Sequence, residues 1–107
     1  MIKELIEKYG MEAKDYDLET FYYWEIEGTK RRGSAIRIIN QSGEIYAANR
    51  IEIIKNGYIL AYQGWEQIEL KDLEERMKLL KYSYNRALLR YKKYIMEDKM
   101  ETIEKDF

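Results

Sequence analysis

Hydrophobic side chains recur at helical spacing through the C-terminal third of the chain, from Asp72 to about Lys99. The steps between them alternate between four and three residues, which places them on one face of an α-helix. The members of this stripe are Leu73, Met77, Leu80, Tyr84, Ala87, Tyr91 and Tyr94. Asp72 and Glu75 fit an Asp-x-x-Glu capping box at its start. The pattern therefore predicts one long helix over residues 72–99.

This predicted helix is long for so small a chain. At ~1.5 Å per residue it would extend roughly 40 Å, whereas a compact domain of about 100 residues has a radius of gyration of about 13 Å. The part beyond Tyr94 is therefore expected to project past the rest of the fold or to pack on a partner.

Alternation of hydrophobic and polar positions predicts β-strands ahead of the helix. The predicted strands are residues 20–27, 34–40, 44–55 and 58–63, with a short fifth strand around residues 68–70. In the first strand, Tyr22, Trp24 and Ile26 are expected to face the core. In the long third strand, Asn49 falls on the apolar face, so a β-bulge is expected at residues 48–50.

The dipeptide Asn56-Gly57 predicts a hairpin between the third and fourth strands. Both residues accept the positive φ angles that a type I′ turn requires. Such a turn pairs Ile53 with Leu60 and Ile51 with Tyr62, so that apolar side chains lie opposite one another. The turn and the hydrophobic pattern thus predict the same register.

The N-terminal residues 1–10 predict a short amphipathic helix that ends at Gly10. An acidic connector follows over residues 11–19, in which Tyr16 and Leu18 are expected to anchor the chain. Together the elements predict a single α+β domain over residues 1–107. It consists of a short N-terminal helix, an antiparallel β-meander of four to five strands over residues 20–70, a long C-terminal helix packed on one face, and a tail to residue 107. A small curled barrel with an appended helix is the alternative.

Charge is unevenly distributed along the chain, although the net charge is only −1. Residues 1–27 carry three basic and eight acidic side chains, whereas residues 71–95 carry eight basic and three acidic ones. Residues 96–107 are acidic again, with two basic and five acidic side chains. Either the acidic ends neutralise the basic centre within the fold, or the helix keeps a basic face for a polyanion or an acidic partner.

The sequence lacks most side chains that carry catalysis. It contains no histidine, which excludes Ser-His-Asp and Cys-His catalysis, and no cysteine, which excludes thiol chemistry and disulfides. Glycine-rich phosphate-binding motifs are also missing. We therefore expect a protein that is not an enzyme, with no catalytic residues, no cofactor and no metal. No apolar run approaches the ~18 residues of a membrane span, and the N-terminus does not resemble a signal peptide, so a cytoplasmic protein without membrane contact is expected.

Two surfaces are candidates for partner binding. The first is a basic hairpin tip, Lys30, Arg31 and Arg32, which can straddle a phosphate backbone. The second is the basic face of the C-terminal helix, where tyrosine alternates with cations that can stack on bases or act as a protein hot spot. Its candidate residues are Tyr82, Arg86, Arg90 and Lys93, flanked by Lys78, Lys81 and Lys92. A plain solvated surface is the alternative for both.

These features favour a non-enzymatic interaction module that docks on a protein partner. A small, cofactor-free chain with many tyrosines and segregated charge is typical of phage or mobile-element inhibitors of host complexes, including those of the anti-CRISPR kind. In that case Asp15, Asp17 and Glu19 are expected to compete with nucleic acid for a basic groove. The alternatives are a nucleic-acid-binding module that uses the hairpin 30–32 and the helix, and a homodimer formed through residues 84–95.

Overall fold

A computed structural model describes the backbone of residues 2–105 and the side chains of residues 2–101. It confirms the predicted α+β class, with a short N-terminal helix and a long C-terminal helix packed on antiparallel β-structure. The helices are α1 (Ile2–Lys8) and α2 (Leu73–Lys105). The strands are β1 (Glu12–Asp15), β2 (Glu19–Tyr23), β3 (Lys30–Arg32), β4 (Ile36–Ile39), β5 (Ile45–Ala47), β6 (Arg50–Ile54), β7 (Ile59–Gln63) and β8 (Glu66–Ile68). The last two residues of the predicted tail lie outside the described residues.

Five strands form one antiparallel sheet in the order β1-β2-β4-β5-β8. Because side chains alternate between the two faces of a strand, one face of this sheet is apolar. Ile36 lies opposite Ala47, and Ile38 lies opposite Ile45. All four side chains are buried in the core, so this inner face is the one that packs towards the helices.

The edge strand β1 occupies part of the segment that was predicted to be a connector. All four of its residues are exposed, so the alternation that reveals a half-buried strand is missing there. Tyr16 and Leu18 follow directly, and they are 52% and 72% exposed. The prediction that these two side chains anchor the chain in the core was therefore wrong.

Three strands form a second, smaller sheet in the order β3-β7-β6. β3 runs parallel to β7, with Lys30 opposite Ile59 and Arg32 opposite Ala61. The chain thus leaves the first sheet after β2, joins the second, and returns for β4. The predicted strands 20–27 and 34–40 do pair antiparallel, as β2 and β4, but residues 30–32 are not a free hairpin tip, because β3 pairs with the distant strand β7.

The predicted long strand over residues 44–55 is divided between the two sheets. β5 ends at Ala47 and pairs with β4, whereas β6 begins at Arg50 and pairs with β7. Between them the Ala48 N–H donates to the Ala35 carbonyl, and the Asn49 N–H donates to the Gln63 carbonyl. The expected bulge is thus the point at which the chain crosses from one sheet to the other.

The β6–β7 hairpin has the predicted register but a different turn. Ile53 lies opposite Leu60 and Ile51 opposite Tyr62. The positive φ angles fall on Gly57 and Tyr58, at 84° and 50°, whereas a type I′ turn needs them at residues 56 and 57. The predicted turn type was therefore wrong, and the hydrophobic pairing fixes the register without it.

Strand β2 ends at Tyr23, earlier than predicted, although Trp24 and Ile26 are buried as expected. The Tyr62 hydroxyl accepts a hydrogen bond from the Trp24 N–H at 2.8 Å and donates one to the Trp24 carbonyl at 2.7 Å. This buried side chain of β7 therefore replaces the ladder partner that a longer β2 would need, and it links the two sheets.

Helix α2 begins one residue later than predicted, after a 3₁₀ turn over Leu70–Asp72. The Asp72 N–H donates to the Glu69 carbonyl at 2.9 Å. Within the described part of the chain, no hydrogen bond joins the side chains of Asp72 and Glu75 to each other's backbone, so the predicted capping box is not formed.

The inner stripe of α2 packs on the core, and the far end of the helix extends beyond it. Leu73, Met77 and Leu80 are at most 1% exposed. Towards its far end, α2 is met by Lys55, directly after β6, whose Nζ lies 3.7 Å from the Glu97 carboxylate and 4.0 Å from that of Asp98. The molecule measures 60 × 26 × 22 Å, with a radius of gyration of 16.1 Å, above the ~13 Å of a compact domain of this size. This elongation agrees with the predicted projection of the helix.

Candidate functional site

The face of α2 that points away from the core carries a second series of large apolar side chains. They are between 59% and 67% exposed, and they are Leu79, Tyr82, Leu89, Met96 and Met100. This series is offset by two residues from the inner stripe, which is about 200° around a helix. We call this surface the outer face. Grouped apolar side chains on a protein surface are more often part of an interaction site than scattered ones, so this row is a candidate interaction surface.

Two cations complete the spacing of the outer face. With Arg86 and Lys93 included, the steps from Leu79 to Met100 alternate between three and four residues, which is the spacing of a helix–helix seam. Both cations are exposed. The outer face is therefore an apolar seam that carries two positive charges.

A groove of about 600 Å³ runs along one side of this seam, between β6 and α2. Ser83 holds the helix to the edge of the strand, since the Ile51 N–H donates to the Ser83 Oγ at 2.9 Å. The Ser83 Oγ in turn donates to the Ile51 carbonyl at 3.0 Å. One side chain thus occupies both backbone groups of Ile51 on the otherwise unpaired edge of β6.

The groove is positively charged. Four cations and one carboxylate line it, and they are Arg50, Arg86, Arg90, Lys93 and Glu52. Arg50 is already engaged, because its Nε lies 2.9 Å from Glu52 Oε1 and its Nη2 donates to Gln63. In the part of the chain that the structure describes, no carboxylate pairs with the three cations from α2. These charges are therefore available to a ligand or partner.

The helix residues expected to bind a partner do lie together, with one exception among those that flank them. Tyr82, Arg86, Arg90 and Lys93 are all exposed on the outer side of α2, and the Arg86 guanidinium lies 6.0 Å from the centre of the Tyr82 ring. Lys81 instead packs over the rings of Trp24 and Tyr84. Burial lowers the pKa of Lys81, so this residue belongs to the rim of the core.

The basic residues of β3 form a separate surface. In the second sheet β3 and β6 lie on opposite edges, so residues 30–32 are not part of the groove. The Arg31 guanidinium lies 3.5 Å from the centre of the Tyr23 ring and donates to the Gly33 carbonyl. Only Lys30 and Arg32 point into solvent, which leaves two of the three predicted cations exposed.

The acidic candidates lie on the five-stranded sheet, away from the groove. Asp15 closes β1 and Asp17 lies in the turn that follows, and both are exposed. Glu19 begins β2, where its carboxylate lies 3.5 Å from Arg37. The structure therefore does not join the acidic candidates with the basic residues of α2 in one site.

A second pocket, which was not predicted, lies on the side of the five-stranded sheet that points away from the core. It has a volume of about 230 Å³, and its walls include three aromatic rings and two cations; the lining residues are Lys14, Tyr16, Phe21, Arg31, Gly33, Ser34 and Trp65. These residues come from four separate segments of the chain, so no local sequence pattern marks the pocket. The outer face of α2, in contrast, has a 3-and-4 spacing that is visible in the sequence when Arg86 and Lys93 are counted with its apolar residues.

Neither candidate region holds a cluster of metal-binding side chains. Among the described residues, no three acidic side chains converge into a group that could hold a metal ion. No helix in this part of the chain is both long and apolar enough to cross a bilayer. Comparison with family models, with curated proteins and with solved structures gives no match. The function must therefore be inferred from the surfaces themselves.

Proposed function

We propose that this protein is a non-enzymatic interaction module that docks on a protein partner through the outer face of α2. The observation that carries the proposal is the row of five large apolar side chains that are more than half exposed on one side of a helix. Large apolar and aromatic groups with nearby arginine dominate the binding energy of protein interfaces. An amphipathic helix or a helix-lined surface on the partner is the natural complement of such a row.

The charges on the outer face favour a partner that is acidic. Arg86 and Lys93 lie within the seam, so a partner residue that faces either of them gains from a carboxylate. A second copy of this chain cannot supply one there. If two α2 helices paired antiparallel about Leu89, Arg86 would face Lys93, and if they paired parallel, each cation would face its own equivalent. Like charges thus oppose a homodimer that pairs through the outer face, in either direction.

Inhibition of a host complex is the specific form of docking that the sequence pattern favours. A small module that covers the binding surface of a larger machine blocks it without any chemistry of its own. A phage or mobile-element inhibitor, similar in action to anti-CRISPR proteins, fits this description. Its target would carry an acidic, partly apolar helix.

The test uses site-specific crosslinking, for which the absence of native cysteine is convenient. Leu89→Cys places a reactive thiol on the outer face, and Gln41→Cys places one in an exposed turn as the control. Each is conjugated to a photoactivatable crosslinker and exposed to lysate of the native host, with and without nuclease. We expect a nuclease-resistant protein adduct from the Leu89→Cys protein alone, and we expect Arg86→Glu in the same protein to reduce its yield.

Equal adducts from both positions would contradict docking through the outer face, and so would an unchanged yield with Arg86→Glu. Once the partner is identified by mass spectrometry, its binding constant can be measured directly. Leu89→Asp should then weaken binding by a factor of ten or more, since truncated or charged hot spots cost about 2 kcal/mol or more.

Nucleic-acid binding in the groove is the second candidate function. The three unpaired cations of α2 favour it, because phosphate contacts come mainly from arginine and lysine. Binding of this kind loses affinity steeply as salt rises. An adduct that disappears on nuclease treatment, together with a steep salt dependence that Arg86→Ala and Arg90→Ala abolish, would support this candidate over the first.

A further inference from the structure

The second pocket has features of a ligand site that the proposed docking surface does not use. Across the sheet, Lys14, Phe21, Arg37 and Tyr46 lie opposite one another in a single row. This row belongs to the face of the sheet that points away from the core. Trp65, on the link between β7 and β8, stands beside it, and Arg37 lies 5.8 Å from the centre of its ring.

The aromatic walls of the pocket face solvent. Trp65 is 45% exposed, and the rings of Tyr16 and Phe21 meet edge to face at 5.6 Å. Gly64, which precedes Trp65, has a φ of 74°, and a side chain there would collide with Asn49. The link between β7 and β8 therefore requires glycine at residue 64.

Three buried side-chain atoms among the described residues have no hydrogen-bond partner, and all of them lie at this pocket or beside it. They are Ser34 Oγ, Arg31 Nε and Arg37 Nε. Ser34 is 2% exposed and lines the pocket. Two of them, Ser34 Oγ and Arg31 Nε, belong to residues that line the pocket, and because buried polar groups in proteins are nearly always paired, they indicate a ligand that accepts hydrogen bonds.

The position of the Arg31 guanidinium is determined by its neighbours. Its plane stacks on Tyr23, its Nη1 donates to the Gly33 carbonyl at 2.8 Å, and its Nε lies 3.8 Å from Glu25. Gly33 has a φ of 88° and lies against Tyr62, where an added Cβ would approach the Tyr62 Cβ to 3.3 Å. The donors at the base of the pocket are therefore pre-organised.

We infer that this pocket binds a nucleotide unit, either free or as an unstacked residue of a single strand. The base stacks against Trp65 and Phe21, its acceptor atoms take hydrogen bonds from Ser34 Oγ–H and Arg31 Nε–H, and Lys14 attracts the phosphate. Stacking on aromatic rings and arginine planes, with hydrogen bonds to the base edge, is how proteins recognise unstacked bases. The lining contains two cations and no carboxylate; because Arg31 pairs with Glu25 outside the lining, Lys14 is the cation left to attract an anionic ligand.

The size of the pocket limits the ligand to one ring system. Its volume of about 230 Å³ is below the ~300 Å³ at which pockets for drug-sized molecules begin. A base fits inside while the sugar and phosphate remain at the mouth, where Lys14 is exposed. The phenyl ring of a peptide phenylalanine would fill the same space but would leave the donors of Ser34 and Arg31 unpaired.

Tryptophan fluorescence tests the inference directly. The chain has two tryptophans, and Trp24 is buried at 3% exposure, so only Trp65 can stack on an added base. We titrate the full chain with AMP and UMP, with ribose 5-phosphate as a control that lacks a base. We expect saturable quenching by at least one of the two nucleotides and none by ribose phosphate.

An eight-residue oligoadenylate distinguishes the two sources of the ligand. Affinity at least tenfold higher than for AMP identifies a single strand as the ligand, and equal affinity identifies the free nucleotide. Quenching by neither nucleotide up to millimolar concentration, and none by the oligonucleotide, would overturn the inference.

Variants connect any quenching to the pocket. Trp65→Phe should remove the signal but keep binding in a calorimetric titration, whereas Trp65→Ala should weaken binding about tenfold, since stacking of one base contributes on the order of a tenfold factor or more. Ser34→Ala should also weaken it several-fold, with circular dichroism to confirm the fold. Lys14→Ala should weaken binding more than Lys71→Ala, which removes an equally exposed charge elsewhere. Quenching that persists in Trp65→Phe, or equal effects of the two lysine variants together with no effect of Ser34→Ala, would contradict the assignment.

Discussion

Leu79 and Leu80 are neighbours in α2, yet Leu80 is 1% exposed and Leu79 is 60% exposed. The two residues represent two faces of one helix. Apolar side chains follow at steps of three and four on the inner face, whereas the outer face has this spacing only when Arg86 and Lys93 are counted. The inner stripe is apolar without interruption from Leu73 to Leu80 and meets the sheet, whereas the outer face includes Arg86 and Lys93. Spacing therefore predicts the helix and both of its faces. The charges within a face indicate whether that face packs against the core of the same chain or stays exposed.

The largest expected effect is the difference in stability loss between alanine variants of the two leucines. Leu80→Ala should lower the free energy of unfolding by about 2–5 kcal/mol, because it removes buried atoms and leaves a cavity. Leu79→Ala should change it by no more than about 0.5 kcal/mol, as surface substitutions usually do. Urea denaturation measures both. A comparable loss in Leu79→Ala would mean that the outer face is covered within the chain itself.

The second prediction concerns self-association. Replacing Arg86 and Lys93 together by leucine should convert the outer face into an uninterrupted apolar seam, which pairs with a second copy. We expect the unaltered chain to sediment as a monomer of 13.1 kDa, and the double variant to sediment as a dimer at micromolar concentration. The double variant Lys30→Leu, Lys71→Leu is the control, since it adds the same apolar groups at exposed positions outside α2. A dimer of the unaltered chain would show that the cations do not prevent pairing.

The third prediction compares a buried hydroxyl, that of Tyr62, with an exposed one, that of Tyr82. Tyr62→Phe leaves the Trp24 N–H and carbonyl without their partner, which should cost about 1–3 kcal/mol. Tyr82→Phe, on the outer face, should cost nothing measurable. Similar losses in the two variants would contradict the role given to Tyr62.

Stability should also depend on pH through Tyr62. Burial raises the pKa of Tyr62 well above its ordinary value of 10.0. Above that pH the unfolded chain loses the phenol proton while the folded chain retains it, so the stabilisation that is complete at lower pH declines by about 1.4 kcal/mol per pH unit. Tyr62→Phe lacks this ionisation. The difference in stability between the two proteins should therefore narrow as the pH rises beyond 10, and a constant difference would exclude this linkage.

The smallest expected effect lies at the border between the two faces. Ser83→Ala removes the hydroxyl that occupies both backbone groups of Ile51, which should cost about 1 kcal/mol because the site is only partly buried. Asn85→Ala, exposed on the same helix, is the matched control. Faster amide hydrogen exchange at Ile51 in Ser83→Ala alone would confirm that Ser83 protects this edge.

The features that the sequence predicted correctly are those with a local pattern. Periodicity marked α2 and its inner stripe, and alternation with Asn56-Gly57 marked the β6–β7 register. The parallel pairing of β3 with β7 left no such mark, because three polar residues in a strand show no alternation and their partner is distant in sequence. Strand β1 was missed for a related reason, since none of its side chains is buried.

The candidate sites were predictable to different degrees. Tyr82, Arg86, Arg90 and Lys93 were predicted from their residue types, but the other apolar members of the outer face, Leu79, Leu89, Met96 and Met100, were not, because they are too widely spaced to form a helical pattern by themselves. The sheet pocket could not have been predicted. Phe21, Ser34 and Trp65 are distant in sequence, and they meet there because the chain passes back and forth between the two sheets.

The pairing of β5 with β8 has a consequence for how the chain folds. The β6–β7 hairpin lies between these two strands in sequence, so β8 cannot reach β5 at low entropic cost until the hairpin has formed and shortened the intervening loop. The hairpin closes within microseconds through neighbouring residues. The non-local pairings of β3 with β7 and of β5 with β8 must form later and more slowly. The β6–β7 hairpin is therefore expected to form early, and β3 and β8 are expected to pair with β7 and β5 afterwards.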